Sequence, residues 1–228
     1  MKLIKTILFA LCLTAIATSC NDNDPNHEST PLTSLVTYDM TIASGDNDIS
    51  KDIAYFTFYT DDNNSAPITY TATGMTRKIE AQPGSRMLIA YYLNGQAMGQ
   101  SGSITLITYR TVPGGTVEIK PTDEAQAANA PIPVSAINRT GNYINLFVRM
   151  MNNPDRTFTM IADQATVGTE TVDMYVTTAV PSSGDTGIIN EQVASFDMTA
   201  IWRNPTTMKV RVHVNNTAGT QNVFEFSK

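Results

Sequence analysis

Val36-Thr37-Tyr38-Asp39-Met40-Thr41-Ile42 alternates large apolar and polar side chains residue by residue. In a strand, successive side chains point to opposite faces. This period of two therefore predicts a strand with Val36, Tyr38, Met40 and Ile42 on one buried face. The same period recurs in Phe56 and Phe58, from Met87 through Leu93, and from Ile104 through Tyr109. In the second half it returns in Ile144, Leu146, Val148 and Met150, then in Phe196, Met198, Ala200 and Trp202. Val210, Val212 and Val214 repeat it, and Phe224 and Phe226 end the chain in the same way. Between these runs stand turn signals such as Ser44-Gly45-Asp46, Asn94-Gly95, Pro113-Gly114-Gly115 and Ser183-Gly184-Asp185. Short strands punctuated by such turns predict an all-β chain.

Between Pro121 and Pro133 the pattern stops. Thr122 to Ala130 contains no large apolar side chain, so a helical turn there has no face to bury. The segment reads as a linker, residues 123–133, between two units of about 90 residues each, near the small end for independent domains. The first, residues 31–122, holds about five strand candidates, which suit a small barrel; the second, residues 134–228, holds about seven, which suit a β-sandwich. A protease is expected to cut first between Thr122 and Ala130.

The N-terminus has a different character. Lys2 and Lys5 precede an apolar run from Ile7 through Ile16, far short of the ~20 residues that span a bilayer, so residues 1–19 read as a signal peptide. Ala17-Thr18-Ser19 followed by Cys20 has the form of a bacterial lipobox, in which the cysteine is diacylated and becomes the new N-terminus. Each buried CH₂ of an acyl chain contributes about 0.8 kcal/mol, and several chains on one cysteine give a stable anchor. Cys12 leaves with the leader, so the mature chain has no second thiol with which to form a disulfide. Residues 20–30 are too polar to fold and read as a tether holding the body off the membrane.

With 15 basic against 21 acidic side chains, and both leader lysines removed on processing, the mature chain is acidic. Nucleic acid recognition starts from clustered Lys and Arg, and here they are scattered, so nucleic acid is not an expected partner.

The runs Gln82-Pro83-Gly84-Ser85-Arg86-Met87 through Tyr92, Ile104 through Tyr109, Gly141-Asn142-Tyr143-Ile144-Asn145-Leu146, and Ser195-Phe196-Asp197-Met198 with Trp202 resemble the NigD-like lipoproteins of Bacteroidetes. The resemblance covers most of the mature chain. It implies an N-terminal OB-like barrel followed by a C-terminal β-sandwich, and it brings no established biochemical activity with it. An acidic dipeptide associated with that family near the linker is represented here by Asp123 and Glu124. Acidic residues following Cys20 are similar in composition to the surface-export signals of Bacteroidetes lipoproteins. The expected location is the outer membrane, lipid-anchored and at the cell surface, with a periplasm-facing orientation as the alternative.

Nothing in the chain assembles into a catalytic motif. His27 sits in the tether and His213 alternates with valines on a polar strand face, which leaves the body without the second histidine of a zinc site or triad. Asp46 with Asp48 and Asp61 with Asp62 fall in turns, where Asp is favoured because it bonds its own backbone. No catalytic residue, metal site or cofactor is expected, and the chain is read as not an enzyme. Binding is left. If Phe56 and Phe58 point inward, Tyr55 and Tyr59 point out from the second strand, and OB barrels present ligands on strands two and three. Tyr55 and Tyr59 are the expected ligand-binding residues, for a glycan or another envelope protein. The alternative is a structural subunit of a fimbria-like assembly, with Asn222 to Ser227 as the strand donated to a neighbour.

Overall fold

The computed structural model describes residues 30–45, 48–60, 66–153, 156–179 and 186–228. Cys20, the tether up to Ser29, Asp46, and the Asp61-Asp62 turn lie outside the described residues.

Five strands, β1 (Leu32–Ile42), β2 (Ile53–Phe58), β3 (Ile68–Ala72), β4 (Arg86–Leu93) and β5 (Gly102–Thr111), close into a barrel. The order is β1-β2-β3-β5-β4 with β4 returning to β1, and only the β3–β5 pair is parallel. This is the five-stranded Greek-key barrel expected of an OB-like unit. Its interior is filled by Val36, Tyr38, Phe56, Tyr70, Met87, Ile89, Tyr91 and Ile104, with Met75 and Ile79 added from the β3–β4 connection.

The opening strand departs from its own pattern. Val36 and Tyr38 are buried as predicted, but Met40 and Ile42 are 49% and 51% exposed. The cause is a register shift between Tyr38 and Met40: Tyr38 pairs with Phe56, whereas Met40 pairs with Tyr55. A bulge adds one residue to one strand and so reverses which face every later side chain occupies. Asp39 is the extra residue, and its carboxylate accepts a hydrogen bond from Thr57 Oγ1 at 2.8 Å.

The chain leaves the barrel as β6 (Gly114–Thr116) and β7 (Glu118–Lys120), followed by α1 (Thr122–Ala127), β8 (Pro131–Ile132), β9 (Val134–Thr140), β10 (Tyr143–Asn152), β11 (Thr157–Asp163), β12 (Thr171–Ala179), β13 (Thr186–Asp197), α2 (Thr199–Trp202), β14 (Lys209–His213), β15 (Asn215–Asn216) and β16 (Val223–Ser227). Two sheets, β6-β13-β10-β9 and β16-β14-β12-β11-β7, contribute the apolar faces of one core, and β8 pairs with β15 beside them. Seven of those sheet strands come from residue 134 onward, matching the sandwich expectation. The other two, β6 and β7, precede the linker yet pair with β13 and β11, so residues 114–120 belong to the sandwich sheets and not to the barrel.

The linker also differs from its sequence reading. Residues 122–127 form α1, and Ala125 is fully buried against Ile161 and Tyr175. A small side chain is what lets the helix backbone lie close to the sheet; lack of a large apolar residue is here a packing device. Thr122 Oγ1 bonds Asp163 Oδ1 at 2.6 Å and pins the helix start. Limited proteolysis of the full-length protein should therefore spare residues 122–127. Early cleavage within them, mapped by mass spectrometry, would show that α1 does not stay docked.

Candidate functional site

The bulge at Asp39 creates a surface feature on the barrel. Met40 and Ile42 point out beside β2, where Tyr55 lies opposite Met40 and Ile53 opposite Ile42. Tyr55 in turn lies opposite Thr71 of β3. The outcome is an apolar row, Met40 and Tyr55 with Ile42 and Ile53, ending in threonine, on the strand face where OB barrels receive ligands. Tyr55 is half-buried, so its ring is partly available. Asp39, at the edge of the row, has its pKa raised by desolvation, an effect opposed by the bond from Thr57.

The other expected residue, Tyr59, is not part of that row. Its ring lies 6.2 Å from the ring of Tyr143 in β10 and rests on Gly141, where an added Cβ would come within 2.6 Å of Tyr59 Cδ1. A glycine at this point, with φ +56, allows barrel and sandwich to touch. Desolvation raises the Tyr59 pKa, with smaller contributions in the same direction from Tyr143 and Asp39. The structure thus separates the two tyrosines, one on the barrel face and one in the joint between domains.

That joint is centred on Arg86, the first residue of β4, only 6% exposed. Its guanidinium donates to Thr37 Oγ1 (3.2 Å) in the barrel and to Ser195 Oγ (3.1 Å) and Thr140 Oγ1 (3.2 Å) in the sandwich. The Tyr143 ring lies over it, 4.3 Å from Cζ to the centroid. Burial lowers the Arg86 pKa to about 10, partly offset by Tyr143 and Tyr59. Nothing in the sequence marks Arg86 for this role, since a basic residue at the head of a strand ordinarily faces water.

On the outer face of the second sheet, His213 is more engaged than its alternation with valines suggested. Its Nε2 lies 2.8 Å from Asp173 Oδ1 and its ring stacks on Tyr175, centroids 4.9 Å apart. Arg211 contacts both Asp173 and Glu225, and Lys209 also reaches Glu225. Hydrogen bonds from Lys209 and Arg211 lower the Glu225 pKa. Such partly exposed charge ladders contribute little stability per pair.

Among the described residues, no group of three or more His, Cys, Asp or Glu side chains is placed to hold a metal ion. Among the described residues, Met75, Arg77, Leu106 and Tyr109 line a recess of ≈ 10 Å³. That is room for about one water molecule.

No family model matches the chain, and no curated protein matches it. Solved structures do. A protein of unknown function from Bacteroides vulgatus superimposes with a TM-score of 0.59 at 15% identity, covering 87% of this chain and 91% of that one. A candidate lipoprotein from Bacteroides fragilis gives a TM-score of 0.55 at 13% identity, covering 87% and 98%. A NigD-like immunity protein from Bacteroides caccae aligns at 15% identity with a TM-score of 0.49, covering 86% and 96%. Across barrel and sandwich together, this chain has a fold that occurs in proteins of Bacteroides.

Proposed function

We propose that the chain is a non-enzymatic, lipid-anchored protein of the bacterial cell envelope, acting as an interaction module that holds another envelope protein against the outer face of its barrel. The observation that carries this reading is the row made by Met40, Ile42, Ile53 and Tyr55. Met40 and Ile42 are about half exposed and lie beside the partly buried Ile53 and Tyr55; a contiguous apolar strand face of this kind characterises association surfaces, and a tyrosine in it is a frequent anchor. Aliphatic neighbours suit a protein partner better than a sugar, whose hydroxyls would be left facing methyl groups. With Tyr59 packed in the joint, glycan stacking rests on Tyr55 alone.

A photo-crosslinking residue at position 55, on intact cells, should trap a protein. In a reconstituted complex Tyr55→Ala should weaken binding by about 30-fold, the scale of a 2 kcal/mol anchor. Crosslinks confined to polysaccharide would replace the protein partner by a glycan, and full retention of the partner by the Met40→Ser, Tyr55→Ala double variant would move the interface elsewhere.

The anchor rests on the lipobox at Cys20, and a fold neighbour described as a candidate lipoprotein supports it. Cys20→Ser should lose incorporated acyl label and leave the membrane fraction. A variant that stays membrane-bound without acylation would refute the anchor. Outer-membrane placement and surface exposure belong to the same proposal, and protease accessibility on whole cells checks them.

A further inference from the structure

The sandwich holds a ring of polar groups prepared for a cation before any cation is considered. Asn145, fully buried on β10, accepts a hydrogen bond from Ser195 Oγ at 2.7 Å and donates to Thr140 Oγ1 and Asn138 Oδ1, both at 2.9 Å. Since the Ser195 proton is directed to Asn145, the lone pairs of Ser195 Oγ stay free to accept. Thr140 Oγ1 accepts from Asn145 Nδ2 with one lone pair and keeps the other for a second donor. The face of the Tyr143 ring adds the negative side of its quadrupole. All of these residues are on β9, β10 and β13, and their mutual bonds need nothing from the barrel.

We propose that Thr140, Tyr143, Asn145 and Ser195 form a guanidinium-binding site on the sandwich, and that Arg86 of the barrel is its resident ligand, the key that sets how the two domains are oriented. The fit follows from the fork. Nε reaches Ser195, Nη2 reaches Thr140, Nη1 turns back to Thr37 of its own barrel, and the plane lies against Tyr143. Among the described residues no carboxylate lies within ion-pair distance of Arg86, so recognition uses geometry and dipoles in place of opposite charge. A planar, weakly hydrated guanidinium tolerates such a site; a compact, strongly hydrated ammonium does not, and it cannot span the three hydroxyls at once. A buried cation without a counter-charge adds little net stability, but it fits only one arrangement of the two domains.

The test is chemical rescue of the full-length protein in detergent. Arg86→Ala leaves a space the size of a guanidinium group. Millimolar ethylguanidinium should raise its melting temperature saturably, by about 3 °C at ten times the dissociation constant, with no comparable rise for ethylammonium or for the parent protein. Absence of a rise, or an equal rise with ethylammonium, overturns the proposal. Should Arg86→Ala fail to fold, Arg86→Lys decides. It should loosen the joint, read as cleavage between Thr111 and Val117 about tenfold faster than in the parent. Cleavage at the parent's rate would show that any cation serves, and the site would not be one for guanidinium.

Discussion

Replacing Trp202 by Ala should destabilise the protein by about 3–5 kcal/mol, the cost of removing a large aromatic side chain from a packed interior. Trp202 is 4% exposed and belongs to the sandwich core with Phe196, Met198 and Ile201. It closes that core from α2, the short helix that follows β13. Its outer face is covered by the Arg139 guanidinium, 4.1 Å from the ring centroid, so truncation would also strip Arg139 of its packing surface. The indole Nε1 is buried without a hydrogen-bond partner. Trp202→Phe should therefore cost far less than Trp202→Ala, because no hydrogen bond is lost with the indole. Urea titration reads both: the midpoint should fall steeply for Ala and slightly for Phe, with the slope unchanged. As the only tryptophan in the chain, it should emit blue-shifted fluorescence when folded. A red, easily quenched emission, or an Ala variant within about 1 kcal/mol of the parent, would place Trp202 outside the core.

Gly114→Ala should be at least as damaging, with a loss of about 4 kcal/mol or more, the range reserved for a named steric conflict. Gly114 has φ +151, which side chains rarely adopt, and its Cβ would stand 1.8 Å from the carbonyl oxygen of Ser195. Backbone cannot swing aside as a flexible side chain can. The contact exists because β6 lies beside β13 with Gly114 paired to Ser195, the same residue whose hydroxyl receives Arg86. An alanine would push β6 off the sheet where the barrel joins the sandwich. Expected readouts are a large drop in melting temperature and new cleavage around Val112 to Val117. A variant with parental stability would mean that β6 does not pair with β13. Gly115→Ala, with nothing within 4 Å of its Cβ, is the control for backbone strain without collision.

How much of this was readable in the chain varies by element. Val210, Val212 and Val214 are buried as their alternation predicts, and Ile144, Leu146 and Val148 likewise. Local pattern succeeds there because one face of each run meets the sandwich core. At Phe196, Met198 and Trp202 the burial was predicted correctly but the geometry was not, since β13 ends at Asp197 and a helical turn carries Trp202 inward. The alternation predicts Met40 and Ile42 on the core face, yet both are exposed, because nothing in Thr37 to Thr41 announces a bulge: the extra residue is an ordinary Asp and no glycine marks it. Of the two expected ligand-binding tyrosines, Tyr55 lies on the barrel face and Tyr59 in the joint. Which neighbour covers an outward ring depends on the other domain.

By itself the sequence determined the class of fold and the polar or apolar character of most strand faces. Those properties follow from a two-residue period and from turn chemistry, which act over a few residues. Only the tertiary structure decided that residues 114–120 complete the sandwich, that Ala125 is a contact and not a spacer, and that Arg86 sits buried among hydroxyls. These outcomes depend on surfaces distant in the chain meeting at ångström separations: Arg86 and Ser195 are joined by a hydrogen bond across 109 positions of sequence. A short-range pattern carries no information about such a meeting.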